Sequence, residues 1–138
     1  ISGPLLDRID IRIDVPAVSA ADLIRPVASE SSSTVAARVA RARYAQQERY
    51  ATAGFPAIRT NARCTTTLIE KYAEPDASGL QLLRDAAERL KFSARGYHRI
   101  LKVARTLADL DEKPTVGRIH VAEAVSYRIA GERLTVAA

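Results

Sequence analysis

At 138 residues with 47% hydrophobic side chains, the chain has enough apolar material for one buried core, which excludes disorder of the whole. It carries 21 Lys and Arg against 16 Asp and Glu, a net charge of +5 that fits an anionic partner without demanding one. No apolar run is long enough to span a bilayer, no signal-peptide pattern is present and the single Cys64 can form no internal disulfide, so a soluble, cytoplasmic protein without redox chemistry is the default expectation.

The first element in chain order is strand-like. Ile9, Ile11, Ile13 and Val15 alternate with Asp10, Arg12 and Asp14 until Pro16 ends the run, the period-2 pattern of a half-buried strand. A strand needs partners, and the nearest later candidate is a short one over 134–136. With Ile1 where a starting methionine would stand, the chain reads as the C-terminal piece of something longer, its sheet lying in sequence not present here.

Residues 17–33 turn to serine, alanine and acidic side chains and read as a connector with one short helical turn. Ser33 or Thr34 then caps a helix reaching about Thr52, with Val35, Val39, Ala42 and Gln46 on one side and Gly54-Phe55-Pro56 as its stop. Arg38, Arg41, Arg43 and Arg49 fall on its other faces, either as a solubilising surface with Glu48 as partial partner or as contacts to nucleic-acid phosphates. Further helices are predicted over 63–73, 77–90 and 93–112, and a last one over 121–129 after a loop with Pro114 and Gly117. The fold class expected is mainly α, a helical bundle preceded by one β-strand.

The helix over 93–112 carries the sharpest local anomaly. Tyr97, Ile100, Leu101, Ala104, Leu107 and Ala108 form its core stripe, leaving Arg95, Arg99 and Lys102 on a different, basic face. Ser93 is a suitable N-cap, so Arg95 sits in the first turn, where the helix dipole disfavours a cation. A phosphate bound near that helix end would account for it; a solvated basic face is the plainer alternative.

Catalytic apparatus is absent from the pattern. The chain contains no glycine-rich phosphate loop with lysine, no arguable serine, histidine and aspartate set and no clustered metal ligands. His98 and His120 are isolated and read as structural, and the five tyrosines form no stacking platform for bases.

Several motifs, taken together, closely resemble one family. They are Gly3-Pro4-Leu5-Leu6-Asp7-Arg8-Ile9-Asp10-Ile11 with Val15-Pro16, then Val39, Ala42-Arg43, Gln47 and Arg49, Asn61, Ser93-Ala94-Arg95, and Tyr97-His98-Arg99-Ile100-Leu101. Ala104-Arg105-Thr106, Ala108-Asp109-Leu110, His120-Val121-Ala122-Glu123-Ala124 and Tyr127-Arg128 complete the set. In this order they resemble the Mg-chelatase-like AAA+ ATPases of the ComM/YifB type over nearly the whole chain. The resemblance implies the last strand of an AAA+ core with an arginine-finger segment over 1–16, a connector over 17–33 and a C-terminal helical lid over 34–138. It implies that Arg8 is the arginine finger, acting on the ATP site of the neighbouring subunit, and that Arg95 is the sensor-2 arginine, contacting the γ-phosphate. Two positions depart from the family's pattern: Gly96 stands where relatives usually have alanine, at a mid-helix cost of roughly 0.5 to 1 kcal/mol, and Arg12 where they tend to have histidine or glutamine.

The resemblance further implies ATP and Mg2+ as cofactors of the full-length protein, a homo-oligomeric ring that is expected to be hexameric, and no hydrolysis by this fragment alone. The function it implies is ATP-driven DNA remodelling, such as branch migration in natural transformation and recombination, with Arg38, Arg41, Arg49, Arg99 and Lys102 as candidate DNA contacts. Two rivals stand beside it. One is a chelatase-like machine that remodels a protein or metal-insertion partner with the same Arg8 and Arg95; the other is a stand-alone basic helical module that binds nucleic acid without nucleotide.

Overall fold

The computed structural model describes residues 5, 8–17, 24 and 29–129. Within them the chain forms α1 (Ser32–Thr52), a 3-10 turn (Asn61–Arg63), α2 (Thr66–Tyr72), α3 (Ala77–Leu90), α4 (Ala94–Leu110) and α5 (Arg118–Ile129), so the described architecture is mainly helical.

Side-chain caps decide where the first four helices start. Ser31 Oγ accepts from Thr34 N at 3.2 Å, Thr65 Oγ1 from Leu68 N at 3.4 Å, Asp76 Oδ1 from Gly79 N at 2.7 Å and Ser93 Oγ from Gly96 N at 3.1 Å. Each satisfies one amide that a helix start leaves without a backbone partner. Ser31, rather than Ser33 or Thr34, therefore opens α1. Thr65 likewise divides the helix expected over 63–73 into a 3-10 turn and a later, shorter α2. The last helix begins three residues before the expected 121, with His120 inside its first turn.

The long amphipathic α4 is the central element, packing against α1, α2, α5 and the 3-10 turn. Ile100, Leu101, Ala104 and Ala108 of the expected stripe are buried, and Tyr97 and Leu107 pack against the core. Helix α5 also lies on α3, where a parallel bridge between Pro75 and Val116 and the bond from Asp76 N to Val116 O (2.9 Å) tie the two approaches together. The approach is close: a Cβ on Gly79 would lie 3.0 Å from Pro75 Cβ and 3.3 Å from Arg118 N.

Helix α1 departs from expectation along half its length. Its buried residues are Ala42, Gln46 and Tyr50, whereas Val35 and Val39, placed on the same inward side by periodicity, are 36% and 41% exposed. The carboxyl half packs on α4 and the amino half projects past it.

The strand expected over 9–15 is not formed: these described residues carry no ladder, and Ile11, Ile13 and Val15 are exposed. The surrounding described elements are helices whose backbone groups are already used internally, so they offer no sheet edge. Instead Arg12 N donates once to Tyr127 O (3.1 Å). The short strand over 134–136 and most of the connector over 17–33 lie outside the described residues, while Ser32 and Ser33 already belong to α1.

Candidate functional site

Arg95 stands in the first turn of α4, two residues past the Ser93 cap, and is exposed. Among the described residues its guanidinium makes no hydrogen bond and no ion pair. His98, Arg99 and Lys102 follow at i+3, i+4 and i+7 and therefore share its side of the helix. Together with Asp10, Ala62 and Thr66 they line a shallow pocket of about 310 Å³.

The members of that pocket are unequally committed. Arg99 is ion-paired with Asp10, His98 Nε2 lies 2.7 Å from Glu70 Oε1, and Lys102 Nζ donates to Ala62 O at 3.0 Å. Arg95 alone of these cations has no protein acceptor among the described residues. An uncommitted planar guanidinium beside two further cations and a helix N-terminus suits the oxygens of a phosphate.

The turn bearing Arg95 is braced from below. Gly96 is buried, and a Cβ added there would lie 3.0 Å from Arg128 Nη2 and 3.2 Å from its Cζ and Nε. The buried guanidinium of Arg128 thus lies close against the position an alanine methyl would take, so it must shift by a few tenths of an ångström to admit one.

The other candidate residues are placed differently. Arg8 is exposed, with its backbone N bonded to Leu5 O at 3.0 Å. Arg38 forms a two-pronged pair with Glu30 at 2.8 and 3.0 Å, and Arg41 Nε donates to Glu112 at 2.7 Å. Both pairs are exposed, so each contributes little to stability and can rearrange. Arg49 is turned inward to Asp109 and Asn61, a commitment that removes it from the basic face of α1.

Arg49 belongs to a polar core that sequence reasoning did not assemble. Asp109, with a side chain only 1% exposed, pairs with both Arg49 and the equally buried Arg105. Arg105 also donates to Lys113 O at 2.6 Å and Pro114 O at 2.7 Å, which ties the loop after α4 back onto it. Asn61 Nδ2 donates to Asp109 Oδ2 (2.9 Å) and Thr106 Oγ1 (3.0 Å), while its Oδ1 accepts from Tyr50 Oη (2.8 Å). Burial alone would lower the Arg49 pKa, but the Asp109 bond and charge hold it above its ordinary value. At Arg105 burial wins and lowers the pKa despite Asp109; burial and the nearby Cys64 push the Tyr50 phenol up. The available signal was the i, i+4 spacing of Arg105 and Asp109 on a core-facing run, a spacing shared with ordinary surface pairs.

His120 is structural, as expected. Its Nδ1 accepts from Gly117 N at 2.9 Å, which leaves Nε2 as the protonated nitrogen facing Asp111 Oδ2 at 3.2 Å. Among the described residues, no group of three or more His, Cys, Asp and Glu is arranged to hold a metal, and no helix is long and apolar enough to cross a membrane.

Residues 29–128 match the family model described as magnesium chelatase, subunit ChlI C-terminal. An uncharacterized protein of Mycobacterium tuberculosis is 41% identical over 138 residues, 96% of this chain and 26% of the relative. The uncharacterized protein YifB of Escherichia coli is 36% identical over 137 residues, 99% of this chain and 26% of the relative. Competence protein ComM of Haemophilus influenzae is 36% identical over 129 residues, 93% of this chain and 24% of the relative. The chain spans about a quarter of the length of these relatives.

Proposed function

The chain belongs to the magnesium chelatase, subunit ChlI C-terminal family and is a C-terminal region of the Mg-chelatase-like ComM/YifB type; from that premise we propose that it is the lid of an AAA+ ATPase in which Arg95 reads the γ-phosphate. The observation that carries this reading is the state of Arg95: exposed, in a first helical turn, without a protein acceptor among the described residues, and beside Arg99 and Lys102. In this reading Arg95 acts within its own subunit and Arg8 reaches the site of the next subunit in a homo-oligomeric ring, most simply a hexamer. Charge that develops on the transferred phosphoryl group is met by guanidinium groups that cannot lose their proton.

The donor set fits ATP in part. The pocket offers cations for phosphate oxygens, but the described residues offer neither a phosphate loop nor a carboxylate cluster for Mg2+, so the remaining groups must come from the rest of the full-length protein. ATP, when bound, would supply the phosphoryl group and Mg2+ a positive charge to offset that of its phosphates. This chain's part is to place Arg95 at that group and to hold α4 rigid through the Arg105–Asp109 core.

The work coupled to hydrolysis is proposed to be DNA remodelling of the branch-migration or helicase kind, a reading supported by the competence name of the Haemophilus relative. A chelatase-like action on a protein or metal-insertion partner is the second reading. The family description favours it, as does the inward engagement of Arg49 with Asp109, which removes one candidate cation from the surface open to DNA. ATP turnover of the full-length protein with and without branched or single-stranded DNA separates them. Stimulation by DNA supports remodelling, and turnover indifferent to DNA but raised by a protein partner supports the second reading.

A further inference from the structure

The segment that bears Arg8 is fastened to the helix that bears Arg95, and Arg99 is the fastener. Two contacts hold it, and an apolar pocket lies beside them. Asp10 is ion-paired with Arg99, Arg12 N donates to Tyr127 O at 3.1 Å, and Ile11 lines an apolar pocket of about 210 Å³ with Val103, Thr106, Leu107 and Leu110. Asp10 is two residues from Arg8, and Arg99 is one helical turn from Arg95. The carboxylate of Asp10 also lines the basic pocket itself, so the two segments meet at the site rather than at a distance from it.

Each contact is modest alone. The ion pair is partly open to water, with Arg99 27% and Asp10 46% exposed, so solvent screening weakens it. The pair and the backbone bond nevertheless act together, two residues apart at 10 and 12, with Ile11 between them on the rim of the apolar pocket.

We infer that Arg99 is a positioning residue: its pair with Asp10 sets the Arg8 segment against the Arg95 turn, so that phosphate contact at Arg95 and the reach of Arg8 into the next subunit are coupled. This rests on the proposed roles of Arg8 and Arg95. Lys102, on the same face, lines the same two pockets but spends its ammonium on a backbone carbonyl of the 3-10 turn rather than on Asp10.

The test uses the full-length protein with Arg99→Gln, Arg99→Lys and the exchanged pair Asp10→Arg with Arg99→Asp. Arg99→Gln is expected to lower ATP turnover about tenfold, as misplacement of a reacting group does, with a smaller loss of ATP affinity from the removal of one cation of the pocket. Lysine at 99 and the exchanged pair should each restore most of the turnover. Hydrogen exchange at the Arg12 amide should quicken in Arg99→Gln and return to the wild-type rate in the exchanged pair, with α4 core amides unchanged throughout. If Arg95→Ala lowers turnover while Arg99→Gln leaves turnover and Arg12 exchange at wild-type values, the coupling is wrong and the lid reading stands. If Arg8→Ala and Arg95→Ala both leave turnover unchanged, the lid reading fails and takes the coupling with it.

Discussion

Arg105 and Asp109 stand one turn apart on α4, both almost wholly buried, with Arg105 Nε donating to Asp109 Oδ1 at 3.1 Å and Arg49 reaching the same carboxylate from α1. One carboxylate thus balances two guanidinium groups in the interior. Asp109→Ala leaves both with no anion, a loss expected to cost about 3 to 5 kcal/mol. Thermal unfolding of the chain checks this: a fall of about 10 °C or more is expected, at roughly 3 to 5 °C per kcal/mol for a chain of this size. A fall of a few degrees would mean that the network is not a structural keystone.

Gly96→Ala tests the brace beneath Arg95. On an exposed helix the change would stabilise by about 1 kcal/mol, but here the methyl meets the buried Arg128 guanidinium. The expected outcome is no gain in melting temperature over the wild type, and a gain over the Arg128→Lys single variant when the two changes are combined. A full gain from Gly96→Ala alone would show that Arg128 yields at no cost.

Acid stability depends in part on Asp76. The amide of Gly79, and then the Ser78 hydroxyl, hold its carboxyl below the usual aspartate range, so its folded pKa is lower than its unfolded one. A depressed carboxyl stabilises the fold fully above the unfolded value near pH 4 and loses that stabilisation as pH falls through the folded value. Asp76→Asn keeps a capping side chain but removes the titration. Its melting temperature should trail the wild type at pH 7 and converge with it as the pH falls from the unfolded value near 4 through the lower folded one. A constant gap across that window would remove Asp76 from the acid response.

Much of this architecture was legible in the sequence because amphipathic period and capping chemistry are local. The stripe on α4, the Ser93 cap and the 77–90 helix follow from spacings within one element. What escaped depends on partners distant in sequence. Arg49 looked like one arginine of a surface stripe until the fold brought Asp109 to it across 60 residues, and Val35 and Val39 looked buried because periodicity cannot tell where a neighbouring helix ends. The alternation over 9–15 is a true strand pattern, yet a strand exists only with a partner edge. At the site, the anomaly of Arg95 was visible, whereas the pairing of Arg99 with Asp10, 89 residues apart, was not.

The 138-residue chain by itself is expected to show no ATP hydrolysis, since its sequence contains no glycine-rich phosphate loop with lysine. Purified chain assayed for phosphate release checks this. Turnover that persists through repeated purification and tracks the protein peak would overturn the lid assignment.

Arg8→Ala in the full-length protein is expected to spare ATP binding and remove most hydrolysis. Mixing it with a variant lacking its own phosphate-loop lysine should restore activity, because each supplies what the other lacks across the subunit boundary. Failure of the mixture to recover any turnover, with both variants assembled, would argue against action in trans.

The most direct measurement is ATP affinity and turnover of the full-length protein carrying Arg95→Ala. Turnover is expected to fall by about two orders of magnitude or more, as when a preorganised donor to developing charge is removed; mixing with the phosphate-loop variant should give no recovery if, as proposed, Arg95 serves its own subunit. Affinity and turnover both at wild-type values would contradict the account.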